Sequence, residues 1–144
     1  MMKPDLDNMW ETYIKIGSPR SSPKRIQYII RTKIGSVFPK LLKEEKITWY
    51  HFLLHGYRGD PTNIFFHVRY SPTESLSKDD IPNYCKYTEK LDPIRDIDGI
   101  NKSLLKDGEI EKAWKLLGEQ SEWIINLIES HKDARARAAW CLNE

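Results

Sequence analysis

Three of the chain's four histidines, His51, His55 and His67, fall within residues 49–70, together with Trp49, Phe65 and Arg69. An unperturbed imidazole changes charge near neutral pH, so His67 and His51 are suited to moving a proton. Arg69 carries a permanent planar cation that matches a carboxylate or phosphate. His67, His51 and Arg69 form the candidate catalytic set. Arg69 again, with His55, Trp49 and Phe65, forms the candidate ligand-binding set. For each histidine taken alone, the plainer reading is a half-exposed ring with one hydrogen bond. No metal is expected. His51 and His55 have the spacing that pairs two ligands on a helix, but on a strand they stand ~13 Å apart at ~3.3 Å per residue. Only a cross-strand pair such as His51 with His67 could share an ion, and no third ligand is evident.

Two strands must position these groups. Residues 47–56 and 63–71 are rich in β-branched and aromatic residues, and the connector at 57–62 is rich in turn formers. That pattern predicts an antiparallel hairpin. Arg58-Gly59-Asp60 spells an adhesion tripeptide, but with no secretion signal it reads as part of this turn. On the second strand Ile64, Phe66, Val68 and Tyr70 point one way and Phe65, His67 and Arg69 the other. On the first, Tyr50, Phe52 and Leu54 form one row, and Trp49, His51, Leu53 and His55 form the opposite one. If the two apolar rows share the core, His51, His55, His67 and Arg69 share the opposite face with Trp49 and Phe65. A slip of one residue would send Trp49 and Leu53 inward and scatter the histidines.

Around the hairpin, residues 12–16 alternate as a short strand that stops at Gly17-Ser18-Pro19. Ser22 then offers an N-cap and Pro23 a first helical position. Ile26, Ile29, Ile30, Ile34 and Val37 recur at helical spacing, which predicts a helix over 23–45 with a kink at Pro39. Residues 71–106 hold Pro72, Pro82, Pro93 and Gly99 without a sustained period, so loops are expected there, with room for one short strand or helix. From Asp107 onward Ile110, Trp114, Leu117, Ile124 and Ile128 mark a long amphipathic helix, with Leu116, Trp123 and Leu127 widening its apolar face. The 133–140 tail continues it. The fold class is α+β: a small antiparallel sheet with a β-α-β-β start, helices packed on one face, and a long C-terminal helix. A ferredoxin-like arrangement would need a further strand from residues 81–100.

With 144 residues and 40% hydrophobic content, residues 1–144 suit a single domain with one core. No stretch suits a membrane span or a signal peptide, and Cys85 and Cys141 lack metal-ligand spacing. A cytoplasmic protein with reduced thiols is expected. The charge is uneven, +6 over residues 1–70 (12 Lys/Arg, 6 Asp/Glu) and −4 over 71–144 (11 against 15). The basic residues of the first helix, among them Lys24, Arg25, Arg31 and Lys33, offer phosphate contacts to a nucleic acid. There is no phosphate-binding glycine loop, nucleophile elbow or CxxC, so no cofactor is expected.

Trp10-Glu11-Thr12-Tyr13-Ile14-Lys15-Ile16, a helix ending FPKLLKEEKITW, then YHFLLHGYRGD and IFFHVRY, together resemble the start of the thiopeptide-type bacteriocin biosynthesis domain. That domain is the elimination module of lanthipeptide and thiopeptide dehydratases. The resemblance covers residues 10–71. Arg69 matches the last arginine of the family's second strand motif and Tyr70 the aromatic after it. His55-Gly56 stands where the first motif has Arg-Tyr, and the chain is shorter than the family domain. The resemblance implies a peptide-binding or peptide-modifying relative whose sheet handles glutamylated Ser or Thr and eliminates glutamate. Two functions thus stand side by side: such a domain, with a peptide or protein partner, and a non-catalytic protein- or nucleic-acid-binding module that uses the basic helix and exposed aromatics. Open strand edges would also admit a homodimer.

Overall fold

A computed structural model describes residues 2–16, 23–57, 60–96 and 108–142. The expected strand stop at Gly17-Ser18-Pro19, the Ser22 cap and the Arg58-Gly59 turn lie outside the described residues. The elements run β1 (Trp10–Lys15), α1 (Pro23–Ile29), a wider π turn (Ile30–Ile34), α2 (Phe38–Lys43), β2 (Ile47–Tyr57) and β3 (Asp60–Pro72). A 3-10 turn (Lys78–Asp80), β4 (Cys85–Lys90) and α3 (Glu109–Leu142) follow. The protein is α+β, with one four-stranded antiparallel sheet in the order β2-β3-β1-β4. β3 therefore inserts between β1 and β2, the split β-α-β arrangement. β4 supplies the further strand from residues 81–100, but an irregular stretch replaces the second crossover helix and α3 comes after β4.

The apolar rows face inward together, except that Leu54, expected in the core row, is exposed at its end. β3 pairs Tyr70, Val68 and Phe66 with Tyr50, Phe52 and Leu54 of β2 on one side, and with Trp10, Thr12 and Ile14 of β1 on the other. Phe38 of α2 packs between Tyr50 and Tyr70 with tilted rings, the centroids 6.2 and 5.9 Å away. Ile29, Ile30, Ile34 and Phe38 are buried with this row. The predicted single helix is broken before Pro39. Gly35 donates to the carbonyl of Ile30, closing a five-residue turn, and α2 restarts with Pro39 in its first turn, where a missing N–H costs nothing.

Helices on one face describes α1 and α2. α3 instead lies along the free edge of β2. Trp114, Ser121 and Ile125 are buried in its contact stripe, and the Phe52 amide donates to Ser121 Oγ at 3.1 Å. Gly118 is what allows this approach: a Cβ there would lie 2.7 Å from Trp49 Cδ1 and 3.1 Å from the Tyr50 carbonyl. Leu116, Trp123 and Leu127, expected to widen the buried stripe, are exposed. They sit around the helix from the row that meets the sheet.

The Trp49–Phe52 part of the β2 edge lies against α3, while Leu53 and Leu54 beyond it are exposed. The β4 edge carries a bulge opposite β1, with Tyr87 in the left-handed region (φ 54°) and exposed Lys86 and Lys90. Bulges and lysines are devices that blunt edge-to-edge pairing. Among the described residues no helix is long and apolar enough to cross a membrane.

Candidate functional site

The register arranges the outer face of the sheet in three rows. Glu11, Arg69 and His51 lie across β1, β3 and β2; below them come Tyr13, His67 and Leu53, then Lys15, Phe65 and His55. His51, His55, His67, Arg69 and Phe65 thus share one face. A downstream element, α3, divides that face in two.

The inner half is largely covered by α3. Trp49 is fully buried; its indole donates to the Trp114 carbonyl at 2.9 Å, and its ring meets the Trp114 ring edge-on at 5.7 Å. The sequence places Trp49 in the ligand-binding set, yet it has no surface left for a ligand, because α3 folds over it. His51 is also buried, with Nδ1 3.0 Å from Ser121 Oγ. That hydroxyl also accepts the Phe52 amide, so the pair ties α3 to β2 and does not resemble an activated nucleophile. Arg69 is only 4% exposed. Its guanidinium lies over the Trp114 ring, 5.4 Å from the centroid, and its Nε is 3.8 Å from Glu11 Oε1. Burial pushes Asp96 up, but hydrogen bonds from Arg95 and the Asp92 amide and the charges of Arg95 and, least, Arg69 outweigh it, leaving the carboxyl below its ordinary range. Arg69 is a buried cation beside Glu11. A cleft of about 380 Å³ between α1, β2 and α3 has His51, Arg69 and Ser121 among an otherwise mainly aliphatic lining.

The outer half is open to solvent in part. His67 Nδ1 contacts Glu11 Oε1, and the two side chains are 14% and 9% exposed. Three rings wall the imidazole: Tyr13 edge-on at 4.7 Å, His55 at 4.8 Å and Phe65 stacked at 5.1 Å. Both His67 nitrogens are buried; Nδ1 meets Glu11 Oε1 as an ion-pair contact without hydrogen-bond geometry, and Nε2 has no hydrogen-bond partner among the described residues. Desolvation, with Glu11 and Glu89 adding negative charge, raises the Tyr13 phenol, so Tyr13 stays neutral beside the imidazole.

No protein-family model, curated protein or solved structure matches this chain. What the site can do therefore rests on its own geometry. Glu11, Tyr13, Ser121 and Asp96 were not singled out by sequence, and Trp114 was read only as part of the apolar stripe of the long helix. For Glu11 and Tyr13 a signal existed: Trp10, Thr12 and Ile14 alternate inward, which leaves their neighbours on the outer face. Among the described residues no three His, Cys, Asp or Glu side chains are grouped to hold a metal.

Around the basic first helix, Lys46 holds Asp80 at 2.7 Å, Lys40 lies 3.8 Å from Glu44, and Arg31 and Lys33 lie over the rings of Tyr28 and Tyr84. Lys24, Arg25, Lys40 and Lys43 remain exposed.

Proposed function

We propose that the protein is a small peptide-binding domain that modifies its peptide by proton transfer, with the outer half of the histidine face as its site. The observation that carries this reading is the His67 imidazole, with a carboxylate on Nδ1 and an unpartnered, buried Nε2. A carboxylate at Nδ1 favours the tautomer protonated there and leaves the Nε2 lone pair to accept a proton. Tyr13, His55 and Phe65 offer apolar ring surface for a peptide to lie on. Arg69 works from behind as the counter-ion of Glu11, without gripping the substrate.

The resemblance to dehydratase elimination domains suggests a fitting reaction. Once the rings that wall the imidazole part to uncover its buried Nε2, His67 takes the α-proton of a glutamylated Ser or Thr. The Cβ–O bond breaks, glutamate leaves as its carboxylate, and the electron pair becomes the Cα=Cβ double bond. The test is a synthetic peptide bearing glutamylated Ser, followed by mass spectrometry for loss of glutamate. His67→Asn is expected to slow that loss by roughly 10²–10⁴-fold, and Glu11→Gln by less. A peptide that shifts the NMR signals of Tyr13 and His67 without reacting would leave a binding module only. Neither shift nor reaction would remove the outer face as the site.

A further inference from the structure

A cavity of about 720 Å³ lies at the other end of the sheet, between β1, β4 and the stretch 72–83. None of the histidines, Glu11 or Arg69 lines it, so it stands apart from the site above. Its volume falls within the range of small-molecule pockets.

Its floor includes Trp10, Tyr70 and Cys85. The half-buried Trp10 ring is held in place: its indole N–H donates to Asn8 Oδ1 at 2.9 Å, and Asn8 Nδ2 donates to the Pro72 carbonyl at 2.9 Å. A ring locked by two successive hydrogen bonds loses little freedom when a ligand stacks on it. Lys78 and Lys86 line the cavity and are exposed, and no Asp or Glu lines it. Asp80, bonded to the lining Ser77, is neutralised by Lys46 at 2.7 Å, which leaves the two lysines as the lining charges. The Cys85 thiol is raised to about 11 by burial, so it contributes packing and no thiolate chemistry.

We propose that this cavity binds a small planar aromatic anion, a ring carrying carboxylate, sulfonate or phosphate, with the ring on Trp10 and the charge met by Lys78 and Lys86. A ring without charge would use only the floor, and an anion without a ring only the rim. Both parts together require the bifunctional ligand.

Two fluorescent probes with one ring system test this: 8-anilinonaphthalene-1-sulfonate and its uncharged analogue N-phenyl-1-naphthylamine. The sulfonate is expected to bind the 144-residue chain saturably at one site, more tightly than the neutral probe, and to shift the Trp10 indole N–H signal. The double variant Lys78→Gln/Lys86→Gln, at exposed positions that leave folding intact, should weaken the sulfonate at least tenfold and change the neutral probe less than twofold. Trp10→Leu should weaken both, and His67→Asn neither. Absence of saturable binding, an unmoved Trp10 indole, or sulfonate affinity unaltered in the lysine variant would overturn the proposal. Because His67→Asn is silent here, this result is separable from that of the peptide assay.

Discussion

Gly118→Ala puts the docking of α3 to a direct test. In an isolated helix the change would stabilise by about 1 kcal/mol, since Ala is the better helix former. Here the new methyl would lie 2.7 Å from Trp49 Cδ1 and 3.1 Å from the Tyr50 carbonyl. Neither can yield cheaply. Trp49 is fully buried, fixed by its bond to the Trp114 carbonyl and flanked by the rings of Trp114 and His51. Tyr50 belongs to the strand backbone. Overpacking of this kind costs about 1–3 kcal/mol, and a strained or lost indole hydrogen bond adds about 1 kcal/mol. After the helix gain is subtracted, the net loss is about 1–3 kcal/mol. With a urea slope of about 1–3 kcal/mol/M for a protein of this size, the midpoint should fall by roughly 1 M. Tryptophan fluorescence reads the transition, since Trp49 and Trp114 sit at the seam. A midpoint that stays or rises would show that α3 does not lie against β2 as described.

Three further outcomes follow from the same geometry. Ser121→Ala removes the hydroxyl shared by the Phe52 amide and His51 Nδ1, and should cost about 1–3 kcal/mol in the same urea assay; a loss under 0.5 kcal/mol would contradict the shared bond. Burial raises the Tyr70 phenol to about 12, with Cys85 a lesser cause, and raises Tyr50 as well. Folded values above the ordinary one mean stability that is fully present below pH ~10 and lost as pH climbs through the folded values, so absorbance at 295 nm and far-UV circular dichroism should change together; both phenols ionising near pH 10 in an intact fold would contradict their burial. Cys85, with its thiol raised to about 11 by burial, should be alkylated at pH 8 roughly 100-fold more slowly in the folded than in the unfolded protein, which peptide mapping of iodoacetamide adducts measures.

The hairpin and its facing were legible because two buried apolar rows leave only one register that hides Ile64, Phe66, Val68 and Tyr70 together. Strand β4 was not. Of its six residues only Cys85 is buried, so an edge strand of this kind leaves no alternation in the sequence. The helix break moved from Pro39 to Gly35 because proline is harmless in the first turn of a restarted helix. Trp49 and Arg69 read as ligand-facing because periodicity within a strand reports facing only; what covers that face comes from Trp114 and Ser121, more than 40 residues downstream. Glu11 escaped for a related reason. Its contact with His67 needs β1 beside β3, a pairing across 56 positions that no local pattern announces.

The seam between α3 and β2 also has a temporal consequence. During synthesis, all four strands leave the ribosome before the helix that shields the β2 edge has been made. In that interval Trp49, Tyr50 and Phe52 sit beside unpaired backbone, a sticky rim that an unrelated nascent strand can join. Chains stalled between β4 and α3 should therefore be the aggregation-prone species, and a separately supplied α3 peptide should rescue their solubility.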